Sequence, residues 1–186
     1  MKRWFAGVVC VFLLLGCSPV ADPVEKGMTL RTKLLEGKGC AFSAAVTADY
    51  GDYLHTFVLQ CTADPSGAVQ FTVTAPESIS GITGAVNGEG GKLTFDEEVL
   101  LFSPLADGLL APVTAPWVIV KALRSGYLVS CGETGQGSLL TVDDSYAEDA
   151  LRLEIRLDDR DLPVSAEIYW QGRRILSVRI EHFEIL

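Results

Sequence analysis

The chain has 186 residues, of which 48% are hydrophobic and 21% are charged. This length and composition are typical of one globular domain with its own hydrophobic core, and they exclude a disordered chain. The formal net charge is −9. A nucleic-acid binder, or a protein held electrostatically on anionic lipid, needs a basic face, so the charge argues against both classes.

The N-terminus has the pattern of an export signal. After a basic start, the apolar run Trp4–Leu15 is shorter than the ~20 residues that span a bilayer. It ends in Leu14-Leu15-Gly16-Cys17, which resembles the lipobox of bacterial lipoproteins. The resemblance implies that residues 1–16 are a signal peptide and that Cys17 carries a diacylglycerol with palmitate-type acyl chains. The alternative is an ordinary secretory signal in which this cysteine is incidental.

The mature chain would then begin at the lipidated cysteine. Removal of Lys2 and Arg3 with the signal changes the net charge from −9 to −11. Residues 17–23 form the lipidated cysteine and a short tether, and residues 24–186 form one domain. We therefore expect a protein anchored by lipid on the extracytoplasmic face of the cell membrane.

The domain is predicted to begin with a helix and continue as strands. Val24–Leu35 is amphipathic, and Gly37 ends it. Its apolar stripe consists of Met28, Leu30, Leu34 and Leu35. Thereafter turn residues recur every eight to twelve positions, which is typical of an antiparallel sheet.

The first two strands, Cys40–Ala48 and Tyr53–Thr62, are predicted to form a hairpin. In the register we favour, Phe42 faces Leu59 and Ala44 faces Phe57, which keeps one face apolar. The same register places Cys40 directly opposite Cys61. These two residues can form a disulfide or remain two buried thiols.

Later segments continue the alternation. Strands are predicted at 69–74, near 79–86, at 92–95 and at 99–102, and two hairpins follow near the C-terminus. In the first of these hairpins Ile155 is expected to face Val164, and Arg152 to face Glu167. In the second, a three-residue loop ending at Gly172 puts Ala166 beside Leu176.

One helical segment interrupts the strands. Thr114 is predicted as the N-cap, Pro116 lies in the first turn and Gly126 ends the helix. The residues between are apolar on most sides, so another element must cover them.

This order of elements resembles the lipoprotein-carrier family, the LolA/LolB-like proteins. Segments such as Ala115-Pro116-Trp117 and Asp143-Asp144-Ser145-Tyr146 also resemble uncharacterised and sporulation- or germination-type lipoproteins of Gram-positive bacteria. The resemblance implies a mainly β fold with helices (α+β). Its core is a strongly curved, open antiparallel half-barrel of about eleven strands, with an N-terminal helix and an inserted lid helix on the concave side.

Such a half-barrel can leave an apolar cavity beneath the lid helix. The residues expected to line it are Phe42, Phe57, Phe71, Trp117, Ile119, Val120, Leu153 and Ile168. The alternative is that these side chains are ordinary core.

No constellation of residues points to catalysis. Gly88–Lys92 does not complete a phosphate-binding loop, and the remaining cysteines lack the spacing of a zinc site. We therefore expect a non-enzymatic protein with no cofactor, no metal and no nucleic-acid partner. It would bind or shuttle an acyl chain, a lipid or another apolar ligand. The alternative is a fully packed interaction module that meets a protein partner in envelope or spore maturation.

Overall fold

The computed structural model describes residues 23–49, 54–103, 105–106, 109–135 and 137–186. The signal peptide, Cys17 and the tether up to residue 22 lie outside these residues. The described chain contains an antiparallel sheet of eleven strands, open and curved, together with two α-helices. The predicted fold class is confirmed.

The elements follow one another in the predicted order. The helices are α1 (Pro23–Glu36) and α2 (Ala115–Ser125). The strands before α2 are β1 (Cys40–Asp49), β2 (Leu54–Ala63), β3 (Val69–Ala75), β4 (Thr83–Val86), β5 (Gly91–Phe95), β6 (Glu98–Phe102), β7 (Leu105–Ala106) and β8 (Leu109–Leu110). The strands after α2 are β9 (Tyr127–Thr134), β10 (Gly137–Asp143), β11 (Leu151–Leu157), β12 (Pro163–Trp170) and β13 (Arg173–Ile185). None of the described helices is long and apolar enough to cross a membrane.

The sheet consists of two halves joined at its centre. Its order is β6-β5-β4-β3-β2-β1-β13-β12-β11-β10-β9, and β7 and β8 pair separately. The strands β1 and β13 lie side by side, so the first and last described strands of the chain form the central ladder. The two outer edges are β6 and β9.

Alternating side chains give the sheet one buried face. In β1 every second residue is buried, and in β11 Leu153, Ile155 and Leu157 are buried while Arg152 faces solvent. This period of two is the expected signature of a sheet covered on one side. A bulge at His182, whose φ is 55°, shifts the alternation in β13, so that Phe183 enters the core and stacks 5.3 Å from Phe42.

The predicted faces are right, but the predicted registers of two hairpins are wrong by two residues. Phe42 pairs with Cys61 and Ala44 pairs with Leu59. Alternation fixes only which face a residue occupies, so a shift of two positions leaves the apolar pattern intact. The ladder between β11 and β12 shows the same shift.

In that second ladder Ile155 pairs with Ala166 instead of Val164. The predicted pairing of Arg152 with Glu167 is therefore also wrong. Arg152 faces Tyr169 across β12, and its guanidinium instead binds Asp143 of β10 at 2.8 Å.

The last hairpin also differs from the prediction. Its turn has two residues, Gln171 and Gly172, with φ angles of 49° and 77°. The register slips between Ile168 and Tyr169, so Ala166 pairs with Val178 instead of Leu176. A bulge is needed to keep the face apolar, as predicted, but it lies within the strand pair and not at the turn.

The predicted stripe of α1 is half right. Leu30 and Leu34 are buried, whereas Met28 and Leu35 are exposed. The helix packs against β9 and α2 at one end of the sheet, so only the side that meets these elements is covered.

Gly137 offers a direct test of the sheet geometry. Its φ is 105°, and a Cβ there would overlap the carbonyl oxygen of Leu157 on the neighbouring strand. We expect Gly137→Ala to lower the free energy of unfolding by about 2 kcal/mol or more, because both the backbone conformation and the close approach exclude a side chain.

Urea denaturation measures this effect. The matched control is Gly132→Ala in β9, where a Cβ meets nothing within 4 Å. Equal destabilisation by the two substitutions would contradict the assigned geometry.

Candidate functional site

The eight residues predicted to line a cavity come together in one hydrophobic core. Phe71 and Val120 are buried, and Phe57 and Trp117 are partly buried against the same cluster. The other four, Phe42, Ile119, Leu153 and Ile168, have 0% of their surface accessible. Side chains without accessible surface do not line a void that admits a water molecule, so α2 and the sheet fill the space around these four residues. In this state a ligand has to displace part of that packing.

Helix α2 is apolar on most of its surface. Seven of its eleven residues are buried, and they face both halves of the sheet, since the helix contacts β2 and β10. Trp117, Lys121 and Arg124 follow the spacing i, i+4, i+7 and form the outward side. The prediction that this helix must be covered is confirmed.

The predicted capping role of Thr114 is wrong. Its hydroxyl donates a hydrogen bond to the carbonyl oxygen of Ala111 at 2.6 Å and makes no cap to the helix. The residue is fully buried and ends a 3₁₀ turn, Pro112–Thr114, that leads directly into α2. The hydroxyl is thereby satisfied inside the core.

Two arginines tie the helices together in a reciprocal manner. Arg31 of α1 donates from Nε to the carbonyl oxygen of Leu123 at 2.9 Å and from Nη2 to that of Gly126 at 2.7 Å. A further bond of 3.3 Å reaches Ala122. These acceptors lie at the C-terminal end of α2, where carbonyl groups lack intrahelical partners and the helix dipole favours a cation.

Arg124 of α2 returns the interaction. Its Nη1 donates to the carbonyl oxygen of Leu34 at 2.7 Å, near the end of α1, and its Nη2 donates to that of Pro65 at 2.6 Å. Each helix therefore caps the C-terminal end of the other. We call these contacts of Arg31 and Arg124 the arginine interlock.

Sequence reasoning missed the interlock. A basic residue in the last turn of a helix, such as Arg124, is a recognisable signal for capping, but it does not reveal that the acceptor lies 90 positions away.

Two arginines of the C-terminal strands form ion pairs on the surface instead. Arg174 binds Glu167 at 3.2 Å, and Arg179 binds Glu181 at 3.1 Å, both on the exposed side of the sheet.

A cleft of about 580 Å³ lies on the outward side of α2. Trp117, Lys121 and Arg124 form one wall, Leu35 of α1 contributes, and the turns around Gly67 and Gly88 form the rest. The Nζ atom of Lys121 lies 5.5 Å from the centroid of the Trp117 ring and 3.1 Å from Asp144. Because Trp117 contacts both the cleft and the core, it is the point at which the interior meets the surface.

Cys40 and Cys61 are two buried thiols in this structure. They are not directly opposite each other, because Cys40 pairs with Ala63 and Cys61 with Phe42. Burial raises the pKa of the Cys40 thiol to about 11, against an opposing effect of the Arg124 charge, and it also raises the pKa of Cys61. Both side chains are therefore protonated at neutral pH and behave as small apolar residues.

No metal-binding cluster stands out in the part of the chain that the structure describes. Within it, no group of three or more His, Cys, Asp or Glu side chains is arranged to hold a metal ion. Both histidines, His55 and His182, are exposed.

Searches for related proteins gave matches among solved structures. One is a LolA superfamily protein from Nitrosomonas europaea, with 10% identity, a TM-score of 0.45, and coverage of 86% of this chain and 93% of the other. A second is a putative outer membrane lipoprotein-sorting protein domain from Vibrio parahaemolyticus, with 8% identity, a TM-score of 0.48 and coverage of 87% and 91%. A third is the lipoprotein LppX of Mycobacterium tuberculosis, with 10% identity, a TM-score of 0.39 and coverage of 87% and 92%.

A LolA superfamily protein and a lipoprotein-sorting domain are among the solved structures that this chain is similar to in fold, which is the resemblance predicted from the order of its elements. The same searches found no matching protein-family model and no match among curated proteins.

The arginine interlock can be tested by removing one side of it. We expect Arg31→Met to lower the free energy of unfolding by about 1–3 kcal/mol, because the terminal carbonyl groups of α2 lose their charged donor while the aliphatic stem is retained. Urea denaturation gives the total effect, and hydrogen exchange of the amides of α2 locates it.

The matched control is Arg160→Met. Arg160 is exposed, and its guanidinium binds the carboxylate of Asp158 at 3.2 Å. We expect a change within about 0.5 kcal/mol there. If Arg31→Met also changed the free energy of unfolding by less than about 0.5 kcal/mol, the interlock would not stabilise the fold.

Proposed function

We propose that the protein is a non-enzymatic lipoprotein, anchored on the extracytoplasmic face of the membrane through Cys17. In this proposal it holds an acyl chain or another apolar molecule between the curved sheet and α2. The observation that carries the proposal is the nature of the α2 contacts. The helix meets the sheet through apolar packing and meets α1 through the arginine interlock.

Apolar packing of this kind can be exchanged for a ligand. An acyl chain that replaces the side chains of α2 against the buried face of the sheet keeps that face dry, so the exchange is close to neutral in hydrophobic free energy. Each buried methylene of the chain contributes about 0.8 kcal/mol. A chain of a dozen or more carbons can therefore compensate for the contacts that α2 gives up.

The interlock determines how far α2 can move. Its five hydrogen bonds are directed to main-chain carbonyl groups at the C-terminal end of α2, at the end of α1 and at the Pro65 turn. The N-terminal end of α2, which carries Trp117, lies outside the interlock and borders the cleft. The geometry favours entry of a ligand at Trp117, with the opposite end of the helix fixed.

Native mass spectrometry tests this function. The mature chain with Cys17→Ser, purified without detergent, is expected to carry an apolar molecule at close to one-to-one stoichiometry, and organic extraction identifies its class. A protein that is empty and that does not bind added fatty acid or phospholipid would contradict the proposal.

Trp117→Ala is expected to weaken binding of an added fluorescent fatty acid by roughly tenfold or more. The reason is that contact between the ligand and an aromatic side chain at the entrance contributes about 1.5–3 kcal/mol to the free energy of binding. The control is Trp170→Ala, a partly buried tryptophan on β12 that packs on the same core. Equal loss of binding in both variants would indicate general loosening of the fold.

A second candidate function is supported by the β6 edge. This strand ends the sheet, and Val99, Leu100 and Leu101 on it are exposed, as is Phe95 at the end of the neighbouring strand β5. An exposed apolar edge strand is suited to pairing with a strand of a partner protein. The outer face of the sheet is less suitable for such a contact. Of its apolar residues Leu54, Val58, Tyr169 and Ile175, only Leu54 is exposed.

The two functions are separable by one substitution. If the protein acts as an interaction module, Leu101→Lys should abolish cross-linking to its envelope partner in intact cells, while Leu54→Lys should not. In the ligand-carrier function, both variants retain the bound apolar molecule, since neither side chain touches α2 or the core.

A further inference from the structure

The outer side of α1 carries an exposed apolar stripe. Val24, Met28 and Leu35 are 45%, 47% and 54% exposed. At 100° per residue these three positions fall within an arc of about 40° on the helix. Leu30 and Leu34, on another side, make the contacts with the core. The stripe is therefore a second apolar face of the helix.

The position of α1 in the chain indicates what this stripe meets. Only residues 17–22 separate the proposed lipidated cysteine from Pro23, the first residue of the helix. Six residues span at most about 20 Å when fully extended. With the acyl chains of Cys17 in the bilayer, Val24 is held within that distance of the membrane surface.

The orientation of α1 is fixed by polar contacts on its other sides. Lys26 binds Glu133 near the end of β9 at 3.3 Å, and Arg31 binds Gly126 just before that strand begins. The helix thus runs antiparallel to β9, and these contacts leave the stripe pointing outward. At its far end Leu35 lines the cleft that contains Trp117.

Charge selects the kind of membrane surface. Glu25 and Glu36 are exposed beside the stripe but are balanced by Arg31 and the exposed Lys33 of the same helix, and Lys26 is paired with Glu133. Repulsion of anionic lipid therefore comes from the acidic net charge of the whole chain, −9. A zwitterionic bilayer has no such penalty.

We infer that the stripe Val24–Met28–Leu35 lies in the interfacial region of a zwitterionic bilayer and brings the Trp117 cleft to the membrane surface. This inference rests on the lipid anchor in the proposed function. It adds a defined orientation, in which the outer side of α1 faces the membrane. An amphipathic helix that lies in the interface beside a lipid anchor adds buried apolar area to the anchor. An apolar molecule could then pass between the bilayer and the cleft along Leu35.

The inference can be tested on the lipidated protein with nitroxide labels. Met28→Cys reports on the stripe. Leu54→Cys is the matched control, because Leu54 is 68% exposed and lies at the opposite end of β2 from the Gly67 turn, which borders the cleft. Both variants also carry Cys131→Ala, and the buried thiols of Cys40 and Cys61 are left unchanged. Each protein is reconstituted in phosphatidylcholine vesicles, and the label's collisions with oxygen and with a nickel complex are measured.

The ratio of oxygen to nickel collisions is expected to rise several-fold at position 28 on reconstitution and to stay unchanged at position 54. The rise should shrink when phosphatidylglycerol is added, and it should be lost in the Cys17→Ser protein mixed with the same vesicles. A label at position 28 that remains aqueous, or equal immersion of both labels, would overturn the inference.

The mass of the purified protein separates this result from failure of the anchor. If the lipid is present and the label at position 28 is aqueous, the orientation is wrong and the anchor stands. If the lipid mass is absent, the anchor is wrong and the orientation fails with it. Binding of a fatty acid by the unanchored domain is measured independently of both.

Discussion

The apolar face of an open sheet has to be removed from water, and this constraint governs the rest of the molecule. The eleven strands present more apolar surface than α2, a helix of eleven residues, could cover with only one of its own sides. The helix is therefore apolar on most of its surface, reaches both halves of the sheet and is joined by α1. Because so little of α2 faces solvent, few polar groups remain to hold it in place. The arginine interlock supplies them from the helix ends, where main-chain carbonyl groups are available whatever the side chains are.

The sequence was sufficient to predict the architecture because alternation and turn residues report directly on local structure. The buried residues of β1, such as Phe42 and Val46, follow a period of two that is readable without coordinates. The register was not readable, since moving Phe42 from Leu59 to Cys61 leaves both faces as they were. The choice between such registers depends on loop and bulge geometry, as the shift between Ile168 and Tyr169 illustrates.

Sequence reasoning grouped the apolar residues around α2 but missed the polar contacts at the ends of that helix. Ile119 and Leu153 lie at positions that the period assigned to the interior, whereas Trp117 lies on the outward side of α2. Arg31 and Arg124 bind main-chain carbonyl groups distant in sequence, and no side-chain pattern marks such acceptors. The exposure of Met28 has a similar origin, because amphipathicity shows that a helix has an apolar side but not how much of that side its neighbours cover.

The central ladder between β1 and β13 has a consequence for biogenesis. The strand that completes the sheet is made last, and more than a hundred residues separate it from its partner Cys40–Ala48. Pairings of such long range fold slowly, because the loop must close before the contacts form. A chain synthesised from its N-terminus therefore remains without its middle ladder until Arg173–Ile185 has been made. Until then β1 keeps one unpaired edge, and an exposed strand edge of this kind makes an incomplete chain prone to aggregation.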